Sequence, residues 1–456
     1  MATPTRSLAL ALALAAIASC RAVIGFEDRR YAECEGADLT CEGDAVVTCE
    51  DGNWSEPVAC DAGSSCVDGA CVCATGERRC QGDTPEECVD GVWVGEAACS
   101  SALPVCEAGE CKQALMPLPA SGGRGHTCVV GSAGGVYCWG QNGSAELGVL
   151  GADGALPLRV PGIPSDVVEV ARGWYHTCAR TSGGDLWCWG NNGFGQLGPI
   201  DGPLFDIPPT KVPGIPKVEL VRAQGERTCV IDAEGAVWCF GRNHRGEISM
   251  PPDENRHDPT VVPGLAGSVD LAMGVNLTCG VRPEGAVTCV GENEGPQDVP
   301  LDDVVALQMD DYHYCAIRES KQVACWGSDA YGGLGNGEPA MDLTTPETLT
   351  IADVDNVAVG WRHTCILVAG VVSCVGHAAQ GQIGNGTIAH TTFDFGQALL
   401  PASALDITSN WGTICAAVGP RELHCWGSNT DGGIGDGSDS HQPTPVRVDW
   451  DAVDYE

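Results

Sequence analysis

Thiols are the reactive groups that this chain carries in excess. Its 456 residues include 27 Cys. A thiol can be oxidised to a disulfide, bind metal as thiolate or carry a lipid. Spacing sorts these uses. Fourteen thiols form seven pairs: Cys128 with Cys138, Cys178 with Cys188, Cys229 with Cys239, Cys279 with Cys289, Cys315 with Cys325, Cys365 with Cys374 and Cys415 with Cys425. Twelve more lie between Cys34 and Cys111, and Cys20 stands alone after an apolar run. No Cys-x-x-Cys occurs, so zinc ribbons and thioredoxin-type redox motifs have no support.

Other chemistry is sparse. There is no Gly-x-Ser-x-Gly, no phosphate-binding Gly-x-x-x-x-Gly-Lys and no His-Glu-x-x-His. His126, His176, His313 and His363 recur two residues before the first Cys of a pair. Arg227, Leu277 and Thr413 replace that His elsewhere, so we read it as a loop-capping hydrogen bonder rather than a metal ligand. The acidic, glycine-rich loop from Asp431 to Asp439 lacks the ligand spacing of an EF-hand. No catalytic, metal or cofactor set is predicted. Asp310, Asp311 and Glu226 are the carboxylates that an alternative glycan-cleaving reading would use.

The cysteine pairs recur about every 50 residues, with one step of 36 between Cys279 and Cys315. A period of that size marks a propeller or solenoid. The unit at 166–198 reads as short strands separated by Gly, Asn and Asp turns, an all-β pattern. The paired Cys mirror each other across a hairpin, where opposed residues come close enough to bridge. Each bridge is worth roughly 3 kcal/mol as an upper estimate. The pair Cys365 and Cys374 is one residue shorter, and its turn shrinks to Ala369-Gly370.

The motifs Gly-x-x-His-Thr-Cys, Gly-x-Val-x-Cys-Trp-Gly and Asn-x-x-Gly-Gln-Leu-Gly resemble the repeat of the regulator of chromosome condensation. The resemblance implies a seven-bladed β-propeller over 114–456 and protein binding as its usual work. Blade 3 departs at Gly241-Arg-Asn-His-Arg-Gly-Glu-Ile, and blade 4 drops its long loop at Gly291-Glu-Asn-Glu-Gly-Pro. Closure of the ring falls to one of two segments. Asp451–Glu456 copies the first strand of blade 2, while Met116–Ala120 carries two prolines that weaken a strand.

Residues 34–72 and 73–111 are a tandem duplication with six Cys each. Modules this short need staples, and six Cys allow fifteen connectivities. Asp51-Gly52 and Asp90-Gly91 read as hairpin turns, with Trp54 and Trp93 as miniature cores. The fold class is all-β: a seven-bladed propeller preceded by two small disulfide-rich modules.

Residues 1–19 pair a charged start with a short apolar run, as a signal peptide does. Ile17-Ala18-Ser19-Cys20 resembles a bacterial lipobox, which implies lipidation of Cys20 and a lipid-anchored linker over 20–33. An ordinary secretory signal is the alternative. Arg21 gives no inner-membrane retention signal, so we expect the outer membrane or cell surface. The net charge of −37 argues against nucleic acid and against anionic lipid surfaces. Membrane contact is expected only through the lipid on Cys20.

The turn before each second strand carries the variable residues. Arg124, Trp174, Tyr175, Glu226, Asp311, Tyr312, Trp361, Arg362 and Trp411 are the predicted partner-binding set. Several blades use Gly or Val there, and Trp, Tyr and Arg are the residues enriched at binding hot spots. Packing on the neighbouring blade is the competing reading. A second candidate is the basic cluster Arg222, Arg227, Arg242, His244, Arg245, Arg256 and His257, against internal pairing with carboxylates. The function expected is an envelope-anchored module for a protein or glycan ligand. The alternatives are a glycan-acting enzyme and a purely structural envelope protein.

Overall fold

The computed structural model describes residues 123–449 with short breaks at 132, 253–254, 293, 338–341 and 420–421, and shorter stretches between 39 and 112. Cys20, the signal region and both candidate closing segments lie outside the described residues. The chain divides into two compact units, Met1–Cys99 with Cys106–Lys112, and Ser100–Val105 with Gln113–Glu456.

In the first unit the two cysteine-rich copies share an element order. Leu39–Glu42, Ala45–Glu50 and Asn53–Trp54 form a sheet in one, and Arg78–Gln81, Thr84–Val89 and Val92–Gly95 in the other. Glu50 pairs with Asn53 and Val89 with Val92, so two residues separate the strands at each predicted Asp-Gly turn. Cys41 bridges Cys66, the second and fifth Cys of the first copy, with Cα atoms 5.5 Å apart. Trp93 is half-buried and donates Nε1–H to Ser64 Oγ at 2.9 Å.

The second unit is a seven-bladed β-propeller. Six blades are four-stranded antiparallel sheets in sequence order; blade 1 has three described strands. Blade 2 shows the plan: Val167–Arg172, His176–Thr181, Leu186–Gly190 and Ile207–Lys211. All seven expected disulfides join the second and third strands. In blades 1 to 4, Cys128 bridges Cys138, Cys178 bridges Cys188, Cys229 bridges Cys239 and Cys279 bridges Cys289. In blades 5 to 7, Cys315 bridges Cys325, Cys365 bridges Cys374 and Cys415 bridges Cys425. The paired Cys face one another in register, as Cys178 and Cys188 do in blade 2. Their Cα atoms lie 4.0–4.2 Å apart, closest to the spacing of a non-hydrogen-bonded antiparallel pair. The shorter blade 6 turn is as expected, with Val368 opposite Val371 and left-handed φ of 48° at Ala369 and 81° at Gly370. Blade 4 turns within two residues, since Gly291 pairs with Glu294.

The fourth strand of each blade is an edge, with unpaired backbone groups that invite aggregation. In six of seven blades it carries proline, for example Pro208 and Pro209 in blade 2. Proline cannot donate to a further strand, so the rim is blunted.

The core lies between blades. Leu147 and Val160 of blade 1 pack with Val170 and Trp189 of blade 2. Tyr137 and Trp139 of blade 1 pack with Ile434 and Val448 of blade 7, which closes the ring. The Asn-x-x-Gly-Gln-Leu-Gly loops act as latches. Asn192 Oδ1 accepts the Leu197 amide at 2.9 Å, folding the loop so that Leu197 is fully buried. The Trp after the second Cys then reaches the preceding blade: Trp189 Nε1 donates to Glu146 O at 2.7 Å, and Trp139 Nε1 to Gly433 O at 2.9 Å.

Candidate functional site

The first residue of each second strand pairs with the end of the third, as His176 does with the last residue Gly190 and His363 with Gly376, one residue before the last. The turn before the second strand and the loop after the third therefore share one face of the ring. That face gathers the residues of interest.

The recurring histidines are structural, and they do more than cap a loop. His126, His176 and His313 place Nε2 2.8–2.9 Å from Thr177, Thr228 and Thr364 of the next blade. Each threonine hydroxyl donates to a backbone carbonyl, of Glu146, Gln196 and Gly333 respectively. Its oxygen must accept, so Nε2 carries the imidazole proton. Burial lowers the pKa of His126, His176 and His363 to about 3 and of His313 to about 4. The rings are neutral links between blades. A Cβ at Gly173 would lie 2.0 Å from the His176 ring, which explains the glycine three residues before the His.

The basic residues of blade 3 are largely satisfied internally. Arg222 bridges Glu169 of blade 2 at 2.6 Å and Asp270 of blade 4 at 2.8 Å. Arg227, in the recurrent His position, is buried and donates to the carbonyls of Gly274, Val275 and Leu277. The fully buried Glu247 lies 3.5 Å from it.

Seven of the nine predicted partner-binding residues form one chain of contacts. Arg124 lies 5.0 Å from the ring centre of Trp411 and 5.6 Å from that of Trp174, and Nη1 donates to Tyr175 Oη at 2.8 Å. Trp411 packs on Trp361 at 5.1 Å. Arg362 sits 4.3 Å from the ring centre of Trp361 and 5.4 Å from that of Tyr312. These turns also meet through the backbone, where Trp361 N donates to Trp411 O and Trp174 N to Gly225 O. Arg362 holds φ at 63°, a left-handed conformation that costs a bulky residue of order 1 kcal/mol and clusters at functional sites.

Glu226 and Asp311 stand apart from the aromatics. Glu226 lies 3.5 Å from Arg242. Asp311 neighbours the buried Asp310, whose Oδ1 accepts from Gln224 Nε2 at 2.6 Å. Gln224 Oε1 in turn accepts from Gly123 N at 3.2 Å. These bonds join blades 1, 3 and 5, which are not neighbours, so they cross the axis of the ring. Burial, then the charge of Asp311, holds Asp310 well above the usual carboxylate range; burial raises Asp311 to about 6.

The sequence reading missed three residues of the cluster. Tyr331 packs on His390 at 5.5 Å and lies under Arg362 at 4.3 Å, while His377 meets the edge of Trp361 at 5.2 Å. Tyr331 and His390 belong to loops after the third strand, and His377 ends such a strand. An available signal was the presence of aromatic rings in glycine-rich loops.

The class of protein follows from these features. Residues 133–180 and 167–196 match the Regulator of chromosome condensation (RCC1) repeat. These matches fall on blades 1 and 2 of the seven-bladed ring, in which each blade is stapled by one disulfide. Among named relatives, the chain is 26% identical over 232 residues to the Ultraviolet-B receptor UVR8 of Arabidopsis thaliana, covering 50% of this chain and 45% of the receptor. It is 26% identical over 209 residues to the E3 ubiquitin-protein ligase HERC2 of Homo sapiens, covering 44% of this chain and 4% of the ligase. The matches thus span less than half of either relative. In fold it resembles Prp20p of Saccharomyces cerevisiae, described with its binding to Gsp1p and histones, at TM-score 0.64 and 20% identity over 73% of this chain and 87% of that one. The yeast RCC1 (Prp20) bound to Kap60 gives TM-score 0.63 and 19% identity, covering 74% and 84%.

Proposed function

We propose that this chain is an exported, lipid-anchored module that binds a protein partner through the aromatic and cationic face of its propeller. The supporting observation is the continuous cluster from Tyr175 through Arg124, Trp411 and Trp361 to Arg362. Rings and guanidinium groups stacked this way are rigid and carry little conformational entropy to lose on binding. Trp, Tyr and Arg supply most hot-spot energy at protein interfaces. In a chain of net charge −37, Arg124 and Arg362 lie within 4 Å of no carboxylate among the described residues, so they are available to a partner. Propellers of this repeat type bind proteins in the case of Prp20p, with Gsp1p and histones. The lipid anchor on Cys20 and an outer-membrane or cell-surface location rest on the N-terminal sequence.

We place no catalytic step on the chain. A glycan-cleaving pair needs two carboxylates facing a pocket, and Asp310 is only 3% exposed and held by Gln224.

The test is capture from envelope and culture-medium extracts by a soluble chain starting at Arg21, beside the Trp174→Ala/Trp361→Ala/Trp411→Ala variant. A saturable protein partner that the variant loses supports the reading. Capture that the variant keeps moves the site off this face. No capture by either form favours a structural envelope role. Lipidation is tested separately by mass spectrometry of the native N-terminus, where an unmodified Cys20 would remove the anchor.

A further inference from the structure

At the junction of blades 7 and 1 the binding face opens into a cleft of about 280 Å³, bounded by Arg124, Gly125, Gln141, Tyr175, Trp411 and Asp431 among others. Its two charged groups do not satisfy each other. Arg124 spends Nη1 on Tyr175, and its Nε and Nη2 have no hydrogen-bond partner among the described residues. Asp431 accepts no hydrogen bond there, and no ion pair within 4 Å joins it to Arg124. Burial and the nearby charge of Asp153 raise the Asp431 carboxyl, against the pull of Arg124. Between the two groups the floor is the backbone of Gly125, with the Gln141 and Asp431 side chains lying close over it. An ideal Cβ on Gly125 would fall 2.6 Å from Gln141 Oε1 and 2.8 Å from Asp431 Oδ2. The backbone there is not left-handed, so a side chain at 125 would be opposed by contact with Gln141 and Asp431 and not by conformation.

We propose that this cleft binds a free amino acid, its carboxylate against Arg124 and its ammonium against Asp431. The argument is one of charge balance. A lone anion would meet Arg124 but face Asp431 and Asp153. A lone cation would meet Asp431 but face Arg124. A neutral sugar could hydrogen-bond both groups yet would bring no opposite charge to either in a partly desolvated site, where charge without a contacting partner is costly. A zwitterion that carries both charged groups on one carbon answers both. Gln141 offers a carbonyl to the ammonium and an amide to the carboxylate. A cleft of this size takes one small molecule and no folded domain. The inference rests on the reading of this face as a binding surface and names one ligand class for it.

The test is isothermal titration of the exported chain with L-alanine, L-leucine, L-glutamate and L-lysine. Each binder is compared with its N-acetyl and its amide form, and N-acetylglucosamine serves as the neutral ring. Saturable binding by at least one amino acid is expected, weakened tenfold or more when either end is blocked. Asp431→Asn should weaken the free amino acid about tenfold yet leave the N-acetyl form unchanged, and Arg124→Gln should do the mirror image with the amide. Gly125→Ala, which pushes Gln141 and Asp431 aside, should weaken binding tenfold or more; if it misfolds by circular dichroism, the half-exposed Asp431→Asn carries the test. Absence of binding by every amino acid, binding indifferent to blocked ends, or equal affinity for N-acetylglucosamine overturns the proposal. The outcome is separable from the capture experiment. A chain that captures its partner and binds no amino acid loses only this inference, whereas one that binds amino acids and captures nothing loses only the protein-binding reading.

Discussion

Blades 3 and 6 place the same backbone turn on the same face, yet they use it differently. In blade 6 the turn is Trp361-Arg362, followed by His363, whose Nε2 lies 3.0 Å from Ser409 Oγ of blade 7. In blade 3 it is Gly225-Glu226, followed by Arg227, which donates to blade 4 carbonyls and needs Glu247 to balance its charge. Both side chains perform the blade-to-blade link. A neutral imidazole does it with a single polar contact and leaves the turn free to carry aromatic rings. A buried guanidinium lies beside Glu247, and Glu226 outside it pairs with Arg242. Arg222, Arg227 and Arg242 of blade 3 are spent on the fold, while Arg362 of blade 6 stacks on three rings.

The sharpest way to break this contrast is to remove the blade 3 link. Arg227→Met leaves the fully buried Glu247 with only Arg242 at 4.0 Å and the Arg245 amide, and stability should fall by about 3 kcal/mol. Denaturant unfolding measures it. Adding Glu247→Gln should recover at least half of that loss, because the weakly paired charge is gone; no recovery would mean that the carbonyl contacts dominate.

A second prediction concerns the proton held where blade 3 meets blade 5. The folded-state pKa of Asp311, about 6, lies above the ordinary value of 3.8. A raised carboxyl stabilises the fold below about pH 4, and that contribution is lost as pH rises towards 6. Asp311→Asn should therefore flatten the stability profile between pH 4 and 6. Relative to the parent, the variant should gain at most about 3 kcal/mol across that window. A parallel pair of curves would refute the assignment.

In blade 6, His363→Ala leaves a buried hydroxyl without this partner and should cost about 1–3 kcal/mol, less than the Arg227 change. Thermal unfolding compares the two directly, and an equal loss would erase the difference drawn between them. The smallest effect has the opposite sign. Arg362→Gly relieves the left-handed backbone and should leave stability unchanged or raised by up to about 1 kcal/mol, while weakening partner capture severalfold. A variant that loses stability and capture together would make Arg362 a packing residue.

The ring, its seven staples and its turns were legible because they are local. Cys178 and Cys188 are ten residues apart on one hairpin, so spacing alone puts them opposite each other. The period repeats that hairpin, whereas the latching role of the Asn-x-x-Gly-Gln-Leu-Gly loops, with Leu197 buried, came only from packing. The turns carrying Trp174, Trp361 and Trp411 could likewise be assigned to one face, because strand alternation fixes which end of a blade each turn occupies.

What the repeat could not give was which of those residues meet. Arg124 and Trp411 are close in space but belong to the first and last blades, and only ring closure brings them together. Tyr331 and His390 come from loops whose lengths differ from blade to blade, so no period predicts that they bend towards Trp361. The fate of each arginine was visible only in outline: sequence put Arg227 at the recurrent His position and Arg362 in the variable turn, and packing buries one against Glu247 and stacks the other on three rings. Hairpin geometry is fixed by neighbours within about ten residues. Contacts across a closed ring depend on every blade taking its angular place, and that is settled by tertiary packing alone.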